Sequence, residues 1–216
     1  NDLQMMYETY LDLVINHKAY LQNVKNIIGR TISKDPENDN NQLLKEILIQ
    51  RVQKSNEASV GELLIWLFIQ EKNFEAAFDQ EKSIDQRFKL DQKKIFELAS
   101  ICRKNKAFEV AIDCYEHIIK IGPNSVYYLD AQLAAITVKK DLLENSVAVT
   151  QEAWLDLEKN YVELLNEIGK TSQTLLLIRD LAEIQAFRLH NIEQASNTIE
   201  DIQTISAARA EDLAEC

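Results

Sequence analysis

Residues 92–124, QKKIFELASICRKNKAFEVAIDCYEHIIKIGPN, decide the fold. Their apolar spacing predicts two amphipathic helices that are hinged at residues 104–106, and Pro123 stops the second helix. The preceding segment repeats this pattern in one register, because seven residue types recur 34 positions later. The recurring pairs are Leu64/Leu98, Lys72/Lys106, Phe74/Phe108, Glu75/Glu109, Ala77/Ala111, Asp79/Asp113 and Ile84/Ile118. A self-match at this period is typical of stacked helical hairpins.

The same stretch resembles the tetratricopeptide repeat family. Leu98 and Ala99 match the large and small residues that follow each other in the family's first helix. Phe108 matches the aromatic residue that opens the second helix, Ala111 the small residue where the two helices cross, and Pro123 the terminating proline. Through the run ELLIWLFIQEKNFEAAF, the whole chain also resembles an internal piece of the longer repeat proteins that are common in Bacteroidetes.

The resemblance implies an all-α fold, a right-handed α-α superhelix of about five helical hairpins. Composition favours helix as well, because 216 residues with only four Gly and two Pro supply few turns for an all-β fold. We expect one repeat array over residues 1–216, with open ends. Its clearest repeats are expected at 58–91 and 92–125, an irregular repeat with an insertion at 126–169, and a last pair at 171–206.

Apolar periodicity also predicts the helices outside the two clear repeats. They are expected at 2–15, 19–32, 43–52, 125–139, 152–168, 171–189 and 192–205, with a further helix beginning at Ala207. The polar run at 33–41 is predicted to be a surface loop, and residues 141–151 are predicted to be the insertion that breaks the 34-residue register.

The charge balance narrows the class of partner. The chain has 24 basic and 35 acidic residues, a formal net charge of −11, which argues against nucleic acid and anionic membrane surfaces as partners. No apolar run reaches the ~20 residues that span a bilayer, so we expect no direct membrane insertion. The chain begins without Met and stops at Cys216. We therefore expect a segment of a longer protein; the resemblance suggests the cell envelope or periplasm, with the cytoplasm left open.

The sequence carries no pattern of catalysis or of cofactor binding. Cys102 and Cys114 fall on apolar helix faces and are expected to be buried free thiols, a disulfide being the alternative. The three histidines have no second ligand at a metal-binding spacing, so no metal site is expected. A Gly-rich phosphate loop and a GxSxG motif are both missing from the sequence. We expect a protein that is not an enzyme and that uses no cofactor.

The resemblance also implies a concave groove lined by five positions of each first helix. These positions are Ser59, Glu62, Trp66, Ile69 and Gln70 in one clear repeat, Lys93, Phe96, Ser100, Arg103 and Lys104 in the other, and Tyr127, Asp130 and Ala134 in the helix that follows. Aromatic residues and arginine are enriched at binding hot spots. The candidate partner-binding residues are therefore Trp66, Ile69, Gln70, Phe96, Arg103, Lys104, Tyr127 and Asp130. The alternative for Trp66 and Phe96 is ordinary packing between neighbouring hairpins.

The sequence thus predicts a non-enzymatic scaffold that presents a concave surface to a protein or peptide partner. An acidic or apolar segment is expected as the partner, because Arg103 and Lys104 lie beside the aromatic residues. The alternatives are a structural spacer and a regulatory module, each within a larger envelope-associated or enzyme-containing protein. A signal peptide upstream would favour the envelope, and a catalytic domain in the same reading frame would favour the regulatory module.

Overall fold

A computed structural model describes residues 2–32, 38–54 and 57–214 of the chain. Within these ranges the chain forms eleven α-helices and no strand, which confirms the predicted all-α class. The helices are α1 (Asp2–Asn16), α2 (Leu21–Ile28), α3 (Asp39–Lys54), α4 (Ala58–Gln70), α5 (Phe74–Phe88), α6 (Lys93–Lys104), α7 (Phe108–Ile121), α8 (Tyr128–Asn145), α9 (Gln151–Ile168), α10 (Leu175–Glu183) and α11 (Ile192–Ala214). A 3-10 turn (Lys18–Tyr20) precedes α2, and a π-helical turn (Ile184–Arg188) follows α10.

Several helix ends differ from the prediction. The helix expected at 19–32 starts as a 3-10 turn and ends at Ile28, where Gly29 follows. The insertion predicted at 141–151 is helical up to Asn145, because the run DLLEN continues the helical pattern of α8. The further helix predicted from Ala207 is wrong, since α11 continues unbroken to Ala214. Residues 33–37 of the predicted polar loop lie outside the described residues, and α3 already begins at Asp39.

The chain divides into two compact units, Asn1–Val110 and Ala111–Cys216. The boundary falls inside α7 and therefore inside the repeat predicted at 92–125. The core of the first unit is built by α1 to α4, whose fully buried side chains include Tyr7, Leu11 and Leu63. In the second unit, α8, α9, α10 and the π-helical turn bury a separate cluster. Its members are Ile136, Trp154, Leu157, Tyr161, Leu164, Leu165, Leu177, Ile178, Leu181 and Ile184.

The second unit also holds a buried ion cluster. Lys140 of α8 is 8% exposed, and its Nζ donates to Glu183 Oε2 at 2.6 Å and to Asp180 Oδ1 at 3.3 Å. Burial opposes the charged ammonium, but the hydrogen bond to Glu183 and the charge of Asp180 together raise the pKa of Lys140. The same hydrogen bond lowers the pKa of Glu183. This cluster ties α8 to α10.

The 34-residue period of the sequence is also a period of the backbone. Lys72 and Lys106 are both left-handed, with φ of 57° and 62°, in the turns that follow α4 and α6. In each turn the next N–H donates to the carbonyl five positions earlier, at 2.8 Å from Asn73 and 2.9 Å from Ala107. Helices commonly end with a left-handed residue, after which the next N–H donates to a carbonyl five positions earlier. The repeated residues therefore build the same turn twice.

A related turn follows α10 in the second unit. His190 is left-handed with φ of 55°, and the N–H of Asn191 donates to the carbonyl of Gln185 at 2.8 Å. The acceptor is here six positions earlier, one more than in the other two turns. The extra residue is accommodated by the π-helical turn Ile184–Arg188.

Helix capping distinguishes these turns and gives a matched pair of variants. The side-chain oxygen of Asn73 accepts from the N–H of Ala76 at 3.2 Å, and that of Asn191 accepts from Gln194 at 3.2 Å. Ala107 stands at the place that corresponds to Asn73 and has no such oxygen. We expect Asn73→Ala to lower the free energy of unfolding by ~1 kcal/mol and Ala107→Asn to raise it by a similar amount.

Urea denaturation of the two variants and the wild type measures both effects. An Ala107→Asn variant that is less stable than the wild type would show that the two turns are not equivalent.

Candidate functional site

A cavity of about 380 Å³ opens in the first unit between α2, α4, α5 and α6. Its apolar lining consists of Ile65, Trp66, Ile69, Leu98 and Ile101. Its polar lining consists of Lys25, Glu62, Gln70, Glu81, Lys94 and Glu97. An apolar floor with a few charged groups around it is the usual composition of a binding pocket.

Helix α4 presents its cavity side next to its core side. Leu63, Leu64 and Leu67 are buried, and the adjacent stripe of the helix carries Trp66 and Ile69 into the cavity. The start of α4 packs closely on α5, since a Cβ atom at Gly61 would collide with the side chain of Ile84. The glycine therefore allows α4 and α5 to pack this closely.

Trp66 takes part in both the core and the cavity. Its side chain is half-buried and packs against the core cluster of the first unit. Its Cζ2 atom lies only 3.6 Å from where a Cβ of Gly29 would be, which places the indole against the end of α2. Trp66 is also one of the residues that line the cavity. Trp66 thus packs on the core, which was one alternative left open by the sequence, and it also lines this cavity.

Glu81 is a buried acid on the floor of the cavity. It lies on the face of α5 that also buries Ala77 and Ile84, and it is 4% exposed. Its Oε1 atom has no hydrogen-bond partner among the described residues. Burial raises the pKa of its carboxyl to about 7, and the negative charge of Glu62 adds to this effect, while Lys94 opposes it.

Two lysines complete the charged lining. The Nζ atom of Lys94 pairs with Glu62 Oε1 at 2.5 Å. Burial lowers the pKa of Lys25, and the nearby charge of Glu62 partly offsets this effect. If every group is ionised, three carboxylates face two ammonium groups in the cavity. The carboxylate of Glu62 is already shared between the lysines, whereas Glu81 has the unpartnered oxygen.

A second buried acid fixes the start of α6. Asp85 accepts from the backbone N–H of Gln92 at 3.0 Å and from its Nε2 at 3.2 Å. Gln92 has a left-handed φ of 62°, so these bonds hold an uncommon backbone conformation. The carboxylate thereby anchors the first turn of α6, and Lys94 and Glu97 follow directly from that turn into the cavity.

The structure brings three of the predicted site residues together. Trp66, Ile69 and Gln70 line the same cavity. Tyr127 and Asp130 belong to the second unit, at the start of α8, where Tyr127 is half-buried and Asp130 is exposed.

The predicted residues of α6 lie on another side of that helix. The cavity is lined by Lys94, Glu97, Leu98 and Ile101. At 100° per residue, Phe96 and Arg103 lie roughly 150° and 170° around the helix from the centre of this stripe. Both side chains are half-buried there, and Lys104 is exposed at the end of the helix.

Glu81 and Lys94 were not among the predicted site residues. For Glu81, the 34-residue repeat of the sequence could have indicated the buried position. In the 34-residue register, Glu81 corresponds to Tyr115, and Asp85 corresponds to Ile119. A charged residue at a position that is apolar in the neighbouring repeat indicates a buried charge. Lys25 lies outside the repeats, so no such comparison could have identified it.

Other predicted features concern thiols, metals and membranes. Cys102 and Cys114 are reduced thiols and are buried, as predicted, and Cys216 lies outside the described residues. In the part of the chain that the structure describes, no three His, Cys, Asp or Glu side chains cluster closely enough to hold a metal ion. Across residues 2–32, 38–54 and 57–214, no helix combines the length and the apolar character needed to cross a membrane.

Comparison with known proteins gives a structural likeness. No protein-family model matches the chain, and no curated protein matches it either. Among solved structures, the chain is similar to a tetratricopeptide repeat protein from Parabacteroides merdae ATCC 43184, with a TM-score of 0.39 and 15% sequence identity. This likeness covers 95% of the present chain and 80% of the other one.

Proposed function

We propose that this protein is a non-enzymatic helical scaffold that binds a protein or peptide partner at the cavity of the first unit. The observation that carries the proposal is the half-buried indole of Trp66, which is fixed by the core on one side and lines an open cavity on the other. An aromatic ring held in this way gives contact area at little cost in conformational freedom. Tryptophan is also among the residues that dominate binding energy at interfaces.

The size and lining of the cavity suit side chains of a partner. A volume of about 380 Å³ is near the lower end of ligand pockets, which suggests one or two inserted side chains. Ile69 offers further apolar contact, and the amide of Gln70 offers a donor and an acceptor at the edge. On residue type we also propose partner contacts beyond the cavity, from Phe96, Arg103, Lys104, Tyr127 and Asp130.

The test compares affinity and stability in the same variants. The full chain captures a partner, which is then purified, and its affinity is measured for the wild type, Trp66→Ala and Leu176→Ala. Leu176 is a matched control because it is an apolar residue of α10, 66% exposed and outside the cavity. We expect Trp66→Ala to weaken binding at least tenfold, about 1.4 kcal/mol, and Leu176→Ala to leave it unchanged.

Thermal unfolding separates a binding defect from a folding defect. If Trp66→Ala lowers the melting temperature strongly, the affinity is measured with Trp66→Leu in place of Trp66→Ala, because leucine keeps the apolar contact with the core. Wild-type affinity in a folded Trp66 variant would refute the proposed function.

A further inference from the structure

The cavity contains one group whose bonding is incomplete. Glu81 is 4% exposed, lines the cavity, and its Oε1 atom is buried without a hydrogen-bond partner among the described residues. Buried carboxyl oxygens in folded proteins almost always have a partner. An unpartnered acceptor at the floor of an open cavity therefore indicates a donor that enters from outside.

The charges around Glu81 favour a cationic donor over an anionic ligand. An anion would need an available ammonium group, but Lys94 is paired with Glu62 at 2.5 Å. Burial lowers the pKa of Lys25 and so disfavours its charged form, an effect that the charge of Glu62 only partly offsets. Glu97 adds a third carboxylate to the same lining. A positive group would thus meet Glu81 at the floor and Glu97 on the way in.

The apolar lining matches the rest of a basic side chain. Lysine and arginine carry a long apolar stem below their charged head, and the stem packs well on apolar surfaces. Trp66, Ile65 and Ile69 offer such a surface beside the carboxylates. A cation over the face of an indole ring gains further attraction from the ring electrons.

Resting on the proposed function, we propose that the cavity receives a lysine or arginine side chain of the partner, whose cationic head donates to Glu81 and whose stem packs on Trp66. The partner is therefore a protein or peptide with an exposed basic residue. This differs from the acidic or apolar segment that the sequence suggested. That expectation depended on Arg103 and Lys104, neither of which lines this cavity.

The state of Glu81 makes the binding depend on pH. Because burial raises its pKa to about 7, roughly one-tenth of the carboxyl is ionised at pH 6 and roughly nine-tenths at pH 8. The charged groups that face it are Lys25 of α2, Glu62 of α4, Asp85 of α5, and Lys94 and Glu97 of α6. A cation binds the ionised form, so we expect its affinity to rise about tenfold from pH 6 to pH 8.

Three small probes test the chemistry directly. N-acetyl-arginine amide, N-acetyl-norleucine amide and N-acetyl-glutamate amide are titrated into the full chain, and the indole N–H signals of its two tryptophans are followed by NMR. We expect the arginine amide to shift the signal of Trp66 and to bind at least tenfold more tightly than the norleucine amide. Trp154 is the internal reference, because it lies in the second unit and the Arg188 guanidinium already sits 4.9 Å from its ring.

Two variants assign the effect to Glu81. Glu81→Gln keeps the shape of the side chain and should weaken binding of the arginine amide at least tenfold at pH 8 and remove its pH dependence. Glu75→Gln removes an exposed carboxylate from the same helix and should leave the affinity unchanged. The amide NMR spectrum of each variant shows whether it is folded as the wild type is.

Four results would overturn the inference. They are equal binding of the norleucine amide, tighter binding of the glutamate amide, wild-type affinity in Glu81→Gln, and no shift of Trp66 with the arginine amide. None of these results touches the proposed function, which fails only if a folded Trp66 variant binds the captured partner normally. The two ideas can therefore fail separately.

Discussion

Replacing Lys140 with Ala should lower the free energy of unfolding by about 3 kcal/mol. The Nζ atom of Lys140 is shared by Glu183 at 2.6 Å and Asp180 at 3.3 Å, and the lysine is almost fully buried. Truncation leaves the largely buried carboxylate of Asp180 with only the guanidinium of Arg179, which is solvent-exposed and lies at 3.3 Å. An exposed partner compensates little of the lost interaction.

Further variants separate the charge from the volume of this side chain. Lys140→Met keeps the apolar stem and should still destabilise by ~2 kcal/mol, because the carboxylate of Asp180 retains only the exposed guanidinium of Arg179 as a partner. The double variant Lys140→Met/Asp180→Leu removes that carboxylate as well and should be more stable than Lys140→Met alone. Lys159→Ala, which removes an exposed lysine of α9, should stay within ~0.5 kcal/mol of the wild type.

Urea denaturation followed by circular dichroism measures all four variants. The hydrogen bond from Lys140 lowers the pKa of Glu183 in the folded state. The contribution of this bond to the free energy of unfolding is therefore present above the pKa of Glu183 in the unfolded state. It is lost as the pH falls through the pKa of Glu183 in the folded state. A Lys140→Met variant as stable as the wild type would show that the ion cluster does not hold α8 to α10.

Local sequence patterns predicted the helices well and their tertiary partners poorly. Helix α7, Phe108–Ile121, lies between the predicted hinge at residues 104–106 and the predicted stop at Pro123, because its apolar face begins after the turn at Lys106 and ends before Gly122. The predicted end of α8 was too early. Lys140 looks like a surface residue in sequence, and its partners lie 40 and 43 positions further along the chain.

The candidate site shows the same division. Trp66, Ile69 and Gln70 could be predicted together, because one helical period places them on one side of α4. The crossing angle between α4 and α6 determines which side of α6 contacts these residues. The sequence pattern within α6 does not determine that angle. The buried position of Glu81 could have been found from its register with Tyr115. Its lack of a partner depends on three-dimensional contacts alone.

Glu81→Gln should stabilise the protein increasingly as the pH rises. The pKa of Glu81 is about 7 in the folded chain, above the ordinary value of 4.5. Its contribution to stability is therefore fully present below pH 4.5 and is lost as the pH rises to about 7, because the folded state binds the proton more tightly. Each pH unit in this window is worth about 1.4 kcal/mol. Over the whole window between the two pKa values, the loss in free energy of unfolding is about 3 kcal/mol, and glutamine does not suffer it because it does not ionise.

The quantity to measure is the difference in free energy of unfolding between Glu81→Gln and the wild type at pH 4.5, 6, 7 and 8. Taking the difference cancels the titration of groups that the two proteins share. We expect it to grow by about 2–3 kcal/mol across this range, and the same difference for the exposed Glu75→Gln to stay within ~0.5 kcal/mol. A difference that does not change with pH would mean that Glu81 ionises as easily in the folded chain as in the unfolded one. In that case groups of the protein itself already stabilise the ionised carboxylate of Glu81, and the cavity gives no reason to expect a cationic ligand.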